Sequence, residues 1–328
     1  MMPWAKPAYS RHRVVVLLFG GCLAAPLHAQ ATTRVEIDND AFNFWQPPGK
    51  RADREYTQGT RATVLWPSSS GLARRLLGGG TNCVVEQRPR DCRLLALTLD
   101  QSIYTPTLNA KRRAPGERPF AGWLGLELGA RRERSHALTS FALGLGLTGN
   151  ASLAAPMQKS VHEFFGFTTP QGWDRQLPGE LTVMASYRGA HDVMHMRAAG
   201  GLGLVASPVW SVRAGTLATD ATAGMQVTVG LRPTSPWRSG FTGPEGGWAV
   251  YLRAGASQSA VARNIFLDGS TFSDSPRVPK KTFVGETEFG VGVRGPRAIV
   301  EWRVVSRGRE YALQPRAHAY SSFVLTLH

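Results

Sequence analysis

From residue 34 to residue 327, runs of up to about ten residues recur in which every second side chain is apolar or aromatic. Beyond the first thirty residues no stretch reaches the roughly 18 uninterrupted apolar residues of a membrane-spanning helix, which excludes a helical membrane protein. A period of two puts alternate side chains on opposite faces of a strand, so each run suits a strand with lipid on one side and a polar interior on the other. Thirteen runs qualify: 34–38, 57–66, 94–102, 122–132, 138–147, 181–187, 196–205, 209–217, 224–231, 248–257, 283–293, 299–305 and 321–327. Single-chain bacterial barrels carry an even number of strands. The Gly-rich pair between residues 196 and 217 alternates most weakly, and merging it predicts an all-β fold, a transmembrane antiparallel β-barrel of twelve strands.

The start of the chain fits export. Lys6, Arg11 and Arg13 precede the apolar run 14–27, and the small-residue triplet Ala29-Gln30-Ala31 follows. That is the three-part pattern of a signal peptide, assigned to residues 1–31, with the barrel domain at 32–328. The apolar run of about fourteen residues is too short to span a bilayer as a helix. A lipoprotein would need lipidation at Cys22, but Phe19 stands where a small aliphatic is required. Cleavage takes the formal charge from +15 to about +12, because the removed segment holds three cations and no anion.

A basic exported chain does not meet nucleic acid, whereas the outer leaflet of a Gram-negative envelope is phosphorylated glycolipid. Arg74-Arg75, Lys111-Arg112-Arg113 and Arg131-Arg132 with Arg134 therefore fit either head-group level or ordinary solvated loops. Long polar connections are expected at 43–54, 107–119, 150–178, 235–246 and 264–281, with the others short and the long loops extracellular. Cys83 and Cys92 lie close in sequence in an oxidising compartment and are expected to form a disulfide. With no histidine beside them they make a poor zinc site. The last run alternates as a closing strand should, but ends in His328 without a terminal aromatic.

Three polar clusters fall near strand ends. Asp38-Asn39-Asp40 ends the first run, and Glu55-Tyr56-Thr57-Gln58-Gly59 opens the second, so Asn39, Asp40 and Thr57 would be neighbours. Gln101 to Pro106 precedes Lys111 and the segment from Glu117 to Leu124, although Tyr104 and Trp123 also suit the aromatic girdle of any barrel. Gln158 and His162, four residues apart, share one face if their segment is helical, and Trp173-Asp174-Arg175 follows.

These clusters together resemble the lipid A 3′-O-deacylase family of outer-membrane barrels, the LpxR type. The likeness runs in order through NDAF, REYTQG, QSIYTP, ERPFAGWL, QKSVH, GWDRQL, RNIFLDGSTF and REYALQPRAHAYSS. The resemblance implies a twelve-stranded, calcium-dependent enzyme that hydrolyses the ester-linked 3′ acyl chain of lipid A through a site opening sideways to the outer leaflet. It carries the functional positions onto Asn39, Asp40, Thr57, Lys111, Gln158 and His162. A further acidic residue of some members falls near Thr168, where no carboxylate stands; Glu163 adjoins His162 at a different place.

Those residue types suit ester hydrolysis, with His162 as the base that activates water and calcium as the oxyanion's partner. Asp40 either ligates calcium, together with the amide oxygen of Asn39, or orients the imidazole. Thr57 would hold the attacking water, Gln158 would bind substrate, and Lys111 would meet a phosphate or sugar of lipid A. A monomer in the outer membrane is expected. A non-catalytic porin or adhesin barrel and an outer-membrane phospholipase are the alternatives.

Overall fold

The computed structural model describes residues 31–43, 54–68, 70–78, 81–82, 91–106, 116–168, 170–239 and 247–327. Twelve strands close into one barrel: β1 (Thr32–Asn39), β2 (Glu55–Pro67), β3 (Asp91–Thr105), β4 (Ala121–Arg134), β5 (Ala137–Thr148), β6 (Leu181–His191), β7 (Leu202–Gly215), β8 (Ala218–Leu231), β9 (Ala249–Asn264), β10 (Phe283–Arg294), β11 (Ala298–Arg307) and β12 (His318–Leu327). Each pairs antiparallel with the next, and β12 returns to pair with β1, so no main-strand edge is left open. The merger of the Gly-rich runs holds: residues 202–215 are one strand. Met194–Arg197 is a short flap that continues β6 and pairs with β7.

Alternation sorts the two faces. Leu126, Leu143, Leu145, Val183, Leu252, Val291 and Val300 project outward and are exposed, a belt whose solvent is lipid. The lumen is charged, and its charges are paired between strands: Arg61 with Asp100 at 2.6 Å and Arg253 with Glu288 at 2.9 Å on neighbouring strands, and Arg303 with Glu36 at 2.6 Å across the intervening β12. Such pairing is what makes ionised groups tolerable inside a protein.

The two ends differ from expectation in three ways. Both ends of the barrel chain and the two-residue turn 135–136 mark one end as periplasmic, by the pattern of short inner turns and longer outer loops. The connection containing residues 235–246 lies at that end and not with the outer loops. Its first part turns into the lumen, where the Trp237 indole donates to Asp192 at 3.1 Å and Ser239 N–H to Glu133 at 3.1 Å. Buried acceptors make this polar stretch a plug; a solvated loop would leave its donors to water.

Second, the connection after β2, expected to be short, runs from residue 68 to 90 and carries helix α1 (Gly71–Leu77), capped by Ser70 and packed through Ala73 and Leu77 on Leu95 and Ala130. Cys92 is disulfide-bonded, while Cys83 lies outside the described residues. Third, Arg74, Arg75, Arg131 and Arg132 sit at this same end, away from the outer loops, and the last two are paired to Glu133 and Asp91, each at 2.6 Å. They are therefore not outer-leaflet head-group contacts.

The aromatic-girdle reading of Tyr104 and Trp123 is also corrected. Both face inward: the Trp123 indole donates to Thr182 at 2.8 Å, and Tyr104 stacks on Phe266 with centroids 4.2 Å apart.

Candidate active site

The site begins with a fault in β2. On the even-numbered side Thr60 and Ala62 face out, so Tyr56 would too; instead the ladder to β3 shifts register between Tyr56 and Gln58. This β-bulge reverses the parity below it. Tyr56 turns into the lumen, donates to Asp38 at 2.9 Å and packs edge-on against Tyr320. Thr57 is thereby brought to the outer wall, where its hydroxyl shares a hydrogen bond of 2.7 Å with Thr105. Thr105 has the parity of Leu99 and Gln101, both on the outer surface. The bulge is held by His318, whose Nε2 donates to the Tyr56 carbonyl at 3.0 Å, and by Gly59, where any Cβ would collide with the Tyr56 hydroxyl.

Asn39, on the outward parity of Val35 and Ile37, ends β1. Its side chain accepts the Ala41 N–H at 2.8 Å and so starts a single 3₁₀ turn (Asp40–Phe42), in the manner of an N-cap. Asp40 is fully buried, with one carboxylate oxygen accepting the Arg54 N–H at 2.8 Å. Phe42 packs edge-to-face on Phe323, which folds the turn back against β12.

The third part is helix α2 (Ala154–Phe165), which hangs outside the barrel and packs on β3 and β4. It starts at Leu153 in the left-handed region, Pro156 falls in the first turn where a missing N–H costs nothing, and Gly166 at φ +70° ends it. Its buried positions are Ala154, Met157, Gln158 and His162, with Val161 beside them on Ile103. This is the stripe of a helix lying on a surface. The shared helical face expected of Gln158 and His162 is present, and the helix packs on β3, the strand whose end carries Thr105 bonded to Thr57. Gln101, whose amide donates to the Ser152 carbonyl at 2.8 Å, fixes where the helix begins.

His162 is almost fully buried and its Nδ1 lies 2.6 Å from the Thr168 carbonyl. A carbonyl can only accept, so Nδ1 carries a proton, and in the neutral ring Nε2 keeps the lone pair. Where the sequence comparison looked for a carboxylate, backbone does the orienting. Gln158 is 1% exposed; its carbonyl accepts the Trp173 indole N–H at 2.9 Å, and its amide nitrogen has no hydrogen-bond partner among the described residues. Lys111 lies outside the described residues.

Beside the helix an apolar groove of about 510 Å³ runs along the outer wall, lined by Val35, Ile37, Leu99, Leu124, Phe323 and, from the helix, Met157. Its apolar lining suits a hydrocarbon chain.

Several motif residues prove structural. Fully buried Arg118 bridges Glu55 at 3.3 Å and Glu310 at 3.1 Å, and the Tyr311 hydroxyl donates to Glu55 at 2.9 Å. Burial pushes the Glu310 carboxyl up, but Arg118 and Arg307 outweigh it and hold it below the usual carboxylate range. This network ties two outer loops to the base of the bulge. Sequence reasoning missed it, though Glu55, Arg118 and Glu310 each stand in a motif it singled out.

Among the described residues no three His, Cys, Asp or Glu side chains converge as a metal cluster. The donors at hand, the Asp40 carboxylate, the Asn39 amide oxygen and hydroxyls, are hard oxygens that fit calcium and not zinc. One carboxylate implies modest affinity.

The profile of the family described as outer membrane protein LpxR matches residues 14–328. No curated protein sequence matches. Among solved structures, LpxR from Salmonella typhimurium superposes with a TM-score of 0.71 at 17% identity, over 90% of this chain and 99% of that one. The β-domain of the Bordetella autotransporter BrkA is more distant, at a TM-score of 0.45 and 8% identity over 91% and 98% of the two chains.

Proposed function

The chain belongs to the LpxR family, outer membrane proteins that modify lipid A, and on that premise we propose that it hydrolyses the ester holding the 3′ acyl or acyloxyacyl chain of lipid A. The observation that carries this reading is the oriented imidazole of His162, buried on helix α2, whose Leu153 and Met157 line the apolar groove of the outer wall.

His162 takes a proton at Nε2 from a water positioned by Thr57, and the resulting hydroxide attacks the ester carbonyl. The carbon–oxygen bond to the sugar then breaks, His162 returns the proton to the departing alkoxide, and a fatty acid and a free sugar hydroxyl result. The Thr168 carbonyl keeps the imidazole in the required tautomer throughout. The Gln158 amide, otherwise an unmatched buried donor costing roughly 1–3 kcal/mol, donates to the substrate. Lys111 serves the phosphate or sugar. Asp40 and Asn39 would hold calcium, which when bound supplies positive charge for the developing oxyanion. The groove along Val35, Ile37 and Leu99 takes the acyl chain being released.

The test is mass spectrometry of lipid A from cells expressing the wild-type chain or His162→Ala, with calcium supplied. Loss of the 3′ acyl mass with the wild type alone is the expected outcome. Unchanged lipid A in both would refute the reading, and fatty acid released from phospholipid instead would move it to a phospholipase. Chelation should abolish activity, and a weak site predicts restoration only at calcium of about 10⁻⁴–10⁻³ M; activity that survives chelation would remove calcium from Asp40 and Asn39 and pass the oxyanion role to protein donors.

A further inference from the structure

The end of helix α2 exposes three aromatic rings that nothing in the proposed chemistry uses. Phe164 is 82% exposed, Phe165 51% and Phe167 47%. They form one patch, with Phe164 and Phe165 centroids 5.0 Å apart and Phe165 and Phe167 5.7 Å apart. Exposed aromatic patches of this kind mark a surface that is covered in the working protein.

Helical spacing identifies the cover. Leu153, Met157, Val161 and Phe164 follow one another at intervals of four, four and three residues and form a single apolar stripe. The stripe starts in the wall groove, which Leu153 and Met157 line, and runs out to Phe164. The opposite face carries Lys159 and Glu163, half-exposed and 3.8 Å apart, as an ion pair in water would be. The helix is therefore amphipathic, with its apolar stripe passing from the barrel wall at Met157 and Val161 to the exposed ring of Phe164.

Its height agrees. Leu124, Leu147 and Leu181 occupy one rung across β4, β5 and β6; Leu147 and Leu181 are exposed, and the loop that carries the helix leaves and rejoins the barrel within two residues of them. The helix thus springs from the upper edge of the apolar belt.

We propose that Phe164, Phe165 and Phe167 dock into the acyl layer of the outer leaflet, so that the C-terminal end of helix α2 lies in the lipid interface while Met157 and Val161 stay on the barrel wall. The occupant is lipid because the patch continues the lipid-facing belt through the groove. The inference rests on the membrane location of the barrel and not on hydrolysis, so it stands or falls separately from the deacylase reading.

The test is spin labelling of Phe164→Cys, Phe165→Cys and Phe167→Cys in the full chain, reconstituted in phosphatidylcholine vesicles. Leu143→Cys on the belt and Lys159→Cys on the polar face are the references, and the unsubstituted chain, which retains its native cysteines, is the labelling blank. Collision with oxygen should exceed collision with a water-soluble nickel chelate at the three phenylalanine positions, as at residue 143, and the order should reverse at residue 159. Accessibility like that of residue 159 at all three would overturn the proposal. Shielding from both reagents with spin–spin broadening would also overturn it, assigning the patch to a second copy of the chain.

Discussion

At the residue scale, the site's most important contact is invisible to residue identity. The position compared with an acidic residue in related sequences is Thr168, and the atom that holds His162 is its carbonyl, which any residue supplies. Sequence could therefore nominate His162 and Gln158 but not the group that selects the tautomer. What places that carbonyl is Gly166, at φ +70° with no atom within 4 Å of where a Cβ would stand. Gly166→Ala therefore carries only the backbone cost of a left-handed alanine, about 1–2 kcal/mol, and would relieve it by shifting the turn that presents Thr168. We expect a lower kcat with KM and the thermal stability of the barrel unchanged, read from steady-state kinetics on lipid A. An unaltered kcat would mean that the imidazole is oriented by something else.

At the element scale, period-two alternation made all twelve strands legible, because lipid outside and charge inside impose opposite chemistry on alternate residues. The bulge in β2 was not legible, since one extra residue changes parity without changing composition. Yet that bulge sends Thr57 to the outer wall, beside Thr105. Gly59 makes room for Tyr56 on the inside, so Gly59→Ala should expel the phenol, disturb the bulge and lower activity. In Tyr56→Ala/Gly59→Ala the collision is gone, and a double-mutant cycle should show coupling within the usual range of about 0.5–3 kcal/mol between contacting residues. Additive losses would separate the bulge from the Gly59–Tyr56 packing.

At the scale of the whole molecule, the barrel is a closed wall with a site on its outside, and two charged assemblies keep it so. On the outer side, Arg118 holds Glu55 and Glu310. Because the Glu310 carboxyl lies below its ordinary value of 4.5 when folded, the unfolded loop binds its proton more readily. That contribution is complete above the ordinary value and fades as pH falls through the folded one. Hydrogen exchange in residues 308–317 should stay protected down to about pH 5 and rise below 4.5, whereas Arg118→Met, which leaves Glu55 only the Tyr311 hydroxyl and Glu310 only the more distant Arg307, should expose the segment at neutral pH at a cost of about 3–5 kcal/mol. On the periplasmic side the plug decides between an enzyme scaffold and a pore. Asp192 accepts from Ser207, Ser235 and Trp237 at once, and Trp237 packs among Leu138, Ala190 and Val209 inside the wall. At the far end Phe266 reaches into the lumen and stacks on Tyr104. The wild-type chain should therefore remain non-conducting in planar bilayers, and Asp192→Ala, which strips one acceptor from three donors, should show intermittent opening. Steady conductance of the wild type would return the lumen to a porin's role; silence in both would place the seal at the Phe266 cap.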